Sequence, residues 1–439
     1  MKSALPKVLH RLAGRPLLLH VLDTCAGLQA QRTVVVTGHA AADVEQCVAA
    51  RELRCVRQEP QLGTGHAVQQ AAPLLDNDGT TLVLAGDVPL IRADTARQLI
   101  AACGGRALAL LTLELDDPTG YGRIVREGPV VRGIVEEKDA SASQRALREI
   151  YTGIMAAPTA SLKRWLARLT NHNAQREYYL TDVVAMAVAD GVPVTTHAAR
   201  DETEVLGVNS AQQLADLERR VQRRHAQALL DAGVRLADPQ RIDVRGELRC
   251  GNDVEIDVNC VFEGRVVIGD GARIGAHCVI RDTTIGARAE VLPFCHFTDA
   301  LIGEQAQVGP FARLRPGAQL GPDVHVGNFV EVKNSTLARG AKANHLAYLG
   351  DSTVGERVNY GAGSITANYD GANKHRTVIG NDVHVGSNCV LVAPVTVGDG
   401  ATIGAGSTIS KPAPAGQLTV ARARQATIAN WRRPVKRKT

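Results

Sequence analysis

The residues best suited to chemistry fall between Val332 and Val378, where an otherwise regular repeat becomes irregular. His345 lies inside this stretch, with Lys333 at its start and Arg315 shortly before it. Histidine is the side chain that titrates near neutral pH, which suits a general base, and the two cations suit an anionic substrate. Because loops that interrupt a repeat often carry function, we predict a catalytic site at this interruption.

A second group of candidates lies in the amino-terminal half. The apolar run at residues 81–85 predicts a buried strand, and Asp87 follows it. A carboxylate at the carboxyl end of such a strand faces the ligand cleft, where it can hold Mg²⁺ against phosphates. Residues 58–65 form a glycine-rich loop that allows close backbone approach to a base or sugar. Residues 120–123 and Glu136 follow on a predicted strand pair.

Predicted strands and helices alternate through this half. The alternation favours a mostly parallel sheet with helices on its faces, a Rossmann-like α/β domain. Ligands of such sheets bind at the carboxyl ends of the strands. Helices are expected over residues 16–25, 69–75 and 94–103, and strands over 33–37, 54–57, 81–85 and 107–115.

The carboxyl-terminal half places an aliphatic residue at every sixth position, often followed by glycine. Six matches neither the helical period of 3.6 nor the strand period of 2. It is typical of a parallel β-helix, in which each coil stacks its aliphatic side chains on the next coil. The two runs are Ile302, Val308, Leu314, Leu320, Val326 and Val332, and then Ile379, Val385, Leu391, Val397, Ile403 and Ile409.

A helix is predicted between the two halves. Ser210 and Gln213 form a capping box, and apolar residues keep helical spacing up to Gly233. We therefore expect an α/β domain over residues 1–208, a linker helix over 209–233, and a β-helix domain with a basic tail over 234–439.

Composition narrows the functional classes. The formal charge is +5, but seven of the 50 basic residues lie in 422–439 without an acid, which leaves 43 basic and 45 acidic residues elsewhere. This distribution predicts a charged tail and no nucleic-acid-binding face. Nine single cysteines without a CxxC pair favour reduced thiols and a cytoplasmic location. The apolar run at 17–22 is too short for a signal or a membrane span.

Four motifs resemble the nucleoside-triphosphate sugar-1-phosphate transferases. More closely, they resemble the bacterial enzymes that combine N-acetylglucosamine-1-phosphate uridyltransferase with glucosamine-1-phosphate acetyltransferase. The resemblance is strongest over residues 360–377. The motifs are Leu-Pro-Lys-Val-Leu at 5–9, Gln-Leu-Gly-Thr-Gly-His-Ala at 61–67, Gly-Asp-Val-Pro-Leu at 86–90 and Asp-Pro-Thr-Gly-Tyr-Gly-Arg at 117–123.

This resemblance implies an α/β nucleotidyltransferase (Rossmann-like) domain followed by a left-handed parallel β-helix of hexapeptide repeats. It also implies a homotrimer with the acetyltransferase site between subunits. The carboxyl half would acetylate glucosamine-1-phosphate with acetyl-CoA. The amino half would join N-acetylglucosamine-1-phosphate to UTP, with Mg²⁺ as cofactor and pyrophosphate as the second product. Both steps belong to cell-envelope precursor synthesis, and the implied partners are small-molecule substrates.

Residue roles follow from the same resemblance. Lys7 would contact the phosphates, and Asp87 with Asn209 would hold Mg²⁺. His345 matches the family's proton acceptor, with Glu331 as the candidate that orients it. The implied contacts to nucleotide and sugar are Gln58, Gly63, Thr64, Ala85, Gly86, Asp87, Gly122, Glu136, Tyr151 and Asn209. The implied contacts in acetyl transfer are Arg315, Lys333, Tyr348 and Asn359 for the sugar phosphate, and Ala362, Asn368, Tyr369, Ser387, Ala405 and Arg422 for acetyl-CoA.

The sequence departs from the family pattern at two places. Tyr151 stands where the family has an asparagine facing the sugar. Met1 falls on the last residue of the family's opening motif Leu-Ala-Ala-Gly-x-Gly-Thr-Arg-Met, so we expect the first strand and the glycine-rich loop to be absent. Because backbone N–H groups and the arginine of that loop stabilise triphosphate charge, we expect normal acetylation with weak uridyl transfer.

Other interpretations stay open at this stage. A lone histidine in a coil loop is more often a surface group than a base. His325, His345 and His384 could form a zinc site, although they lack paired spacing. The chain could also be an acetyltransferase alone, or a non-catalytic regulatory or scaffold subunit. The second alternative is disfavoured by Arg315, Lys333, His345 and Tyr369, because an inert coil would not need them.

Overall fold

The computed structural model describes residues 3–436, and the chain divides into two compact units, one up to Val221 and one from Gln222. Within the described residues, no helix combines the length and the apolar character needed to cross a bilayer. Short 3₁₀ helices cover Lys7–Leu9, Ala72–Leu74 and Glu202–Glu204. The α-helices are Leu17–Gly27, Ala41–Val48, Thr64–Ala71, Ala93–Cys103, Ala142–Arg145, Thr159–Leu166, Asp182–Ala189 and Ala211–Asp231.

The central sheet of the first unit is mixed, so the prediction of a mostly parallel sheet was wrong. Strand Leu108–Glu114 pairs in parallel with Val194–Ala198, but Glu149–Pro158 runs antiparallel on its other side. Strand direction depends on the connections, which an apolar run in the sequence does not report. Val34–Thr37 and Arg54–Arg57 form a separate parallel pair. The other strands of this unit are Arg11–Leu12, Arg15–Pro16, Thr80–Val83, Gly122–Glu127 and Val130–Val135.

Alternate residues of the long central strand face two different cores. Leu110 packs in a core that includes Trp165, whereas Ala109 packs in a second core that includes Leu99. Successive side chains of a strand point to opposite faces, so both faces of the sheet are covered by helices, as predicted. Strand Thr80–Val83, which precedes the Gly-Asp pair, is half-buried rather than buried.

The linker helix spans Ala211–Asp231, and its start is capped as the sequence predicts. The Gln213 N–H donates to Ser210 Oγ at 3.1 Å, and the Ser210 N–H donates to Gln213 Oε1 at 3.0 Å. These two bonds form a reciprocal capping box. The 21 residues of the helix extend over about 32 Å, at ~1.5 Å per residue. The division between the two units falls inside this helix, and the predicted boundaries at 208 and 234 stay a prediction.

From Arg235 onward the second unit is a parallel β-helix, consistent with the left-handed hexapeptide type. Its first strand, Arg235–Leu236, pairs with Glu255–Ile256 of the next coil. Every pairing between its named strands is parallel. One sheet comprises Arg235–Leu236, Glu255–Ile256, Arg273–Ile274, Glu290–Val291, Gln307–Val308, His325–Asn328, Lys342–His345, Asn359–Tyr360, His384–Val385, Thr402–Ile403 and Leu418–Thr419.

A second sheet forms the rest of the coil surface, and its strands are Ile242–Cys250, Cys260–Ile268, Val279–Arg281, Thr284–Ile285, His296–Thr298, Ala300–Ile302, Arg313–Leu314, Ala318–Leu320, Glu331–Lys333, Thr336–Leu337, Tyr348–Gly350, Ser352–Val354, Ile365–Ala367, Thr377–Ile379, Val390–Val392, Val395–Val397 and Thr408–Ile409.

The predicted six-residue ladder is the core of the coil. All twelve aliphatic residues of the two runs are at most 2% exposed. Burying one such side chain contributes ~1.5–3 kcal/mol, so the stacked coils stabilise one another. Cys260, Cys278, Cys295 and Cys389 line the same interior as free thiols.

Aromatic side chains stack along one corner of the coil. His277, Phe294, Phe311 and Phe329 each adopt the left-handed backbone conformation, and their ring centroids lie 4.9, 5.0 and 5.3 Å apart in turn. The three phenylalanines are between 46% and 57% exposed. We call these four residues the aromatic ladder.

Candidate active sites

Asp87 and Asn209, from distant parts of the first unit, both contact the ammonium group of Lys7. The Lys7 ammonium donates to Asp87 Oδ2 at 2.6 Å and to Asn209 Oδ1 at 2.8 Å. Asp87 follows strand Thr80–Val83, and Asn209 directly precedes the linker-helix cap. A carboxylate and an amide oxygen are the hard donors that Mg²⁺ accepts, usually together with substrate phosphates. The structure therefore brings together the three residues that the sequence singled out for phosphate and metal.

The glycine-rich loop lies at the end of strand Arg54–Arg57. Gln58 Nε2 donates to the Gly63 carbonyl at 2.8 Å, which closes the loop on itself. Gly63 has a φ of +101°, and a Cβ there would lie 2.8 Å from the Tyr178 carbonyl oxygen, so only glycine fits. Thr64 begins the following helix, and its Oγ1 accepts the Leu180 N–H at 3.2 Å. These contacts hold the loop in one conformation.

Gly122, Glu136 and Tyr151 form a third group in the same unit. Gly122 pairs with Tyr151 in the sheet, and a Cβ on Gly122 would lie 3.6 Å from a Glu136 carboxylate oxygen. Thr181 Oγ1 donates to Glu136 Oε1 at 2.9 Å. Burial raises the pKa of the Glu136 carboxyl, and burial together with Glu136 raises the pKa of the Tyr151 hydroxyl. Ala85, which belongs to the Gly-Asp segment, approaches the strand of Tyr151 closely, because a Cβ on Gly153 would lie 4.0 Å from the Ala85 Cβ.

His345 lies at an exposed corner of the coil, at the end of strand Lys342–His345. Its Nδ1 is 2.8 Å from Asn328 Oδ1, on the adjacent coil. An amide oxygen only accepts, so Nδ1 carries the proton and the Nε2 lone pair is left to act as a base. Both residues line a groove of about 450 Å³ that also includes Phe311 and Phe329 of the aromatic ladder.

Five residues from successive coils share one edge of the β-helix. Asn328 pairs with His345 of the next coil. In each of the three coils that follow, the residue two positions after the paired strand lies in the same register. We call this edge the catalytic corner. It consists of Asn328, His345, Ala362, Ser387 and Ala405.

Glu331 is not placed to orient His345 as predicted. Its carboxylate accepts from Arg315 Nη1 at 2.8 Å and pairs with Arg313 at 3.5 Å. Glu331 lies on strand Glu331–Lys333, past the corner, and among the described residues the His345 imidazole instead donates from Nδ1 to Asn328 Oδ1. Sequence reasoning missed Asn328, because its position opposite His345 appears only once coil register is known.

A cluster of cations lies on the second sheet. Arg315 and Lys333 follow paired residues of adjacent coils and therefore stack. The Lys374 side chain, followed by burial, lowers the pKa of the Lys333 ammonium, and Arg315 acts in the same direction. Crowded like charges have this effect, and an anion between them would relieve it. Lys374 is a second candidate residue that sequence reasoning missed, although it lies in the irregular stretch.

Some predicted residues are not brought together within one chain. Tyr348 pairs with Glu331 on the second sheet, whereas Asn359 lies on the first sheet, where its Nδ2 is 3.2 Å from His384 Nδ1. Arg422 does reach the catalytic corner, because its Nη1 donates to the Ala405 carbonyl at 2.6 Å.

Asn368 and Tyr369 lie on an excursion from the coil. Asn368 is buried and donates to the Asp351 carboxylate, whereas Tyr369 is 61% exposed and donates from its hydroxyl to the Gly371 carbonyl at 2.6 Å. The two residues therefore differ in role, one anchoring the excursion and the other facing outward.

Known proteins resemble the chain over nearly its whole length. It is 73% identical over 446 residues to the bifunctional protein GlmU of Methylibium petroleiphilum, covering 100% of this chain and 97% of that protein. The chain belongs to the bifunctional GlmU family. Family members from Paracidovorax citrulli and Ralstonia nicotianae are 67% and 60% identical, covering 99% and 100% of this chain and 96% of each relative.

Two family models match successive parts of the chain. A MobA-like NTP transferase domain matches residues 1–230, and a GMPPB C-terminal domain matches residues 244–326 and 297–397. Membership of a bifunctional family disfavours the interpretations of an acetyltransferase alone or a scaffold subunit. Coverage of 96 to 97% of the GlmU relatives does not support the expectation that the first strand and glycine-rich loop are absent.

Proposed function

We propose that the chain catalyses two consecutive steps: acetylation of glucosamine-1-phosphate by acetyl-CoA, and uridyl transfer from UTP to the resulting N-acetylglucosamine-1-phosphate. Such a product serves peptidoglycan and other cell-envelope synthesis in the cytoplasm. The observation that carries the proposal is that two separate sets of chemically suited residues converge, one in each compact unit. The catalytic corner serves acetyl transfer, and the Lys7, Asp87 and Asn209 group serves uridyl transfer.

In acetyl transfer, the sugar amine attacks the thioester carbonyl carbon. His345 Nε2 accepts the proton that the amine loses, the C–S bond breaks, and coenzyme A leaves with its sulfur atom. The Asn328 oxygen stabilises the imidazolium because it accepts from Nδ1–H. General-base catalysis of this kind supplies ~10²–10⁴-fold. Acetyl-CoA lies along the catalytic corner, against Ala362, Ser387 and Ala405.

Acetyl-CoA and the phosphate of the sugar are bound by different groups of side chains. Arg422, held on Ala405, and Tyr369 contact acetyl-CoA beyond the corner, and Asn368, bonded to Asp351, anchors the excursion that carries Tyr369. Arg315, Lys333 and Lys374 bind the phosphate of the sugar, which offsets their mutual repulsion. Tyr348 and Asn359 contact the sugar, and Glu331 fixes Arg315 through the 2.8 Å bond.

In uridyl transfer, a phosphate oxygen of N-acetylglucosamine-1-phosphate attacks the α-phosphorus of UTP, and pyrophosphate leaves. Lys7 offsets the charge on the phosphates. Asp87 and Asn209 fit Mg²⁺, since their oxygens already converge on one cation, and the metal would supply further charge neutralisation. Gln58, Gly63 and Thr64 hold the uracil through the closed loop.

The sugar of this second step lies against Gly122 and Glu136. Gly122 leaves room because it has no Cβ, and Ala85 and Gly86 line the approach to Asp87. Tyr151 pairs with Gly122 in the sheet, so we place its backbone beside the sugar, since its side-chain hydroxyl is buried.

We also propose a homotrimer in which acetyl transfer occurs between copies of the chain. Exposed phenylalanines of the aromatic ladder border the groove of His345, and contact with a second copy would bury them. Asn359 lies on a different sheet from Tyr348, so a neighbouring copy would bring it to the sugar. Light scattering should give three times the chain mass of 46.6 kDa, and a fully acetylating monomer would contradict this.

The experiment is a coupled assay on one preparation. Free thiol should appear from acetyl-CoA only when glucosamine-1-phosphate is present. Pyrophosphate should appear from UTP and Mg²⁺ only when N-acetylglucosamine-1-phosphate is present. Release of only one product, with active substrates and folded protein, would reduce the proposal to a single activity.

A further inference from the structure

One coil of the β-helix is longer than its neighbours. Lys342 pairs with Asn359 across 17 residues, but Asn359 pairs with His384 across 25. The extra residues form a hairpin between strands Ile365–Ala367 and Thr377–Ile379, in which Tyr369 and Lys374 form an antiparallel bridge. We call residues 368–376 the hairpin.

The hairpin carries three of the residues given roles in acetyl transfer. Asn368 and Tyr369 are on its first arm, and Lys374, which lowers the pKa of the Lys333 ammonium, is on its second arm. Two ammonium groups repel each other, so something must hold Lys374 in place when no phosphate is bound. The bridge alone holds only one residue on each arm.

Asp370 and His375 close the hairpin from inside. Asp370 Oδ1 accepts from the backbone N–H groups of Ala372 and Asn373 at 2.8 and 2.7 Å, and Asp370 Oδ2 is 2.6 Å from His375 Nε2. The His375 N–H donates to the Asn368 carbonyl at 2.8 Å. His375 is thus tied to both the turn and the base of the hairpin.

We propose that His375 is a positioning residue for acetyl transfer: its imidazole, hydrogen-bonded to Asp370, clamps the hairpin so that Lys374 meets the sugar phosphate and Tyr369 meets acetyl-CoA. The proposal rests on the acetyltransferase function proposed above. It assigns His375 no contact with either substrate, and it makes substrate binding depend on a side chain outside the catalytic corner.

The carboxylate of the clamp is held in its charged form. Asp370 stays ionised, since the Asn373 N–H, then His375 and the Ala372 N–H, lower the pKa of its carboxyl. A charged acceptor makes a stronger hydrogen bond than a neutral one, which favours the clamped hairpin. The other charged or titratable groups near the hairpin are Tyr369, Lys374, Lys333, Asp351 and Arg376.

The test compares His375→Gln and His375→Phe with the wild-type chain. We expect KM for glucosamine-1-phosphate to rise about two- to fivefold in His375→Phe, the range that an exposed ion pair supports. His375→Gln, whose side-chain amide can still donate to Asp370, should return KM to near the wild-type value. Arg288→Gln, which breaks an exposed ion pair with Glu304 elsewhere on the coil, is the control.

Several readouts separate the outcomes. Because the clamp acts on binding, kcat should change little, and uridyl transfer should be unchanged. If His375→Phe leaves KM for glucosamine-1-phosphate unchanged, or lowers kcat instead, the inference is wrong. If the wild-type chain releases no coenzyme A, the proposed function fails instead.

Discussion

Asn328 offers the sharpest test of how His345 acts. The Nδ1–H···Oδ1 bond of 2.8 Å is the contact that fixes the imidazole tautomer with Nε2 free. In Asn328→Ala this acceptor is lost, so the imidazole can also adopt the tautomer that protonates Nε2. The groove, the aromatic ladder and the backbone at this corner are otherwise unchanged.

The size of the effect follows from the bond that is lost. A typical net hydrogen bond contributes ~0.5–1.5 kcal/mol, and each ~1.4 kcal/mol is a factor of ten in rate. We therefore expect kcat for acetyl transfer to fall about 2- to 12-fold, with KM for both substrates within twofold of the wild type, because Asn328 is assigned to the base and not to binding. His345→Ala, by comparison, should lose ~10²–10⁴-fold.

Thiol release from acetyl-CoA measures both constants, and Asn328→Asp is the matched control because its carboxylate also accepts from Nδ1. Asn328→Asp should retain most of the wild-type kcat at its optimum pH. Wild-type kcat in Asn328→Ala would refute the orienting role. A loss as large as that of His345→Ala would show that Asn328 itself takes part in the chemistry.

Three further predictions follow from the structure. Gly327→Ala should lower the free energy of unfolding by ~1–3 kcal/mol in chemical denaturation, because the added Cβ would lie 2.0 Å from the Asn344 carbonyl oxygen; unchanged stability would contradict the packing. Burial raises the pKa of the Glu136 carboxyl above 4.5, so the folded state binds that proton more tightly and loses stability as pH rises past 4.5. Glu136→Gln should therefore raise the melting temperature more at pH 7.5 than at pH 4.5, and an equal shift at both pH values would refute this. Lys374→Ala should raise KM for glucosamine-1-phosphate at least tenfold, since a charged hydrogen bond contributes ~1.5–3 kcal/mol; an unchanged KM would remove Lys374 from the phosphate site.

The predictions from sequence were most accurate where a feature depends only on the spacing of residues along the chain. The aliphatic ladder of the coil and the capping box of Ser210 were predicted to the residue, because each depends only on spacing along the chain. The residues that converge around Asp87 were also identified, although it was a resemblance, not spacing, that brought Lys7 and Asn209 together.

The rest depended on register, which the sequence does not display. Coils of 17 and 18 residues alternate irregularly, so the opposition of Asn328 to His345 could not be read from positions alone. Glu331 was expected to orient His345, but it lies past the corner, where Arg315 takes its carboxylate. The sequence likewise did not show whether neighbouring strands of the first unit are parallel or antiparallel, because the composition of strand Glu149–Pro158 does not depend on its direction in the sheet.

The central claim is that one chain holds two independent active sites. The most direct measurement is to assay both half-reactions on Asp87→Asn and on His345→Ala, each purified as the full chain. Asp87→Asn should lose pyrophosphate release while thiol release stays at the wild-type rate, and His345→Ala should show the reverse. Either substitution lowering both activities together in a folded protein, or leaving its own activity intact, would contradict this assignment of the two sites.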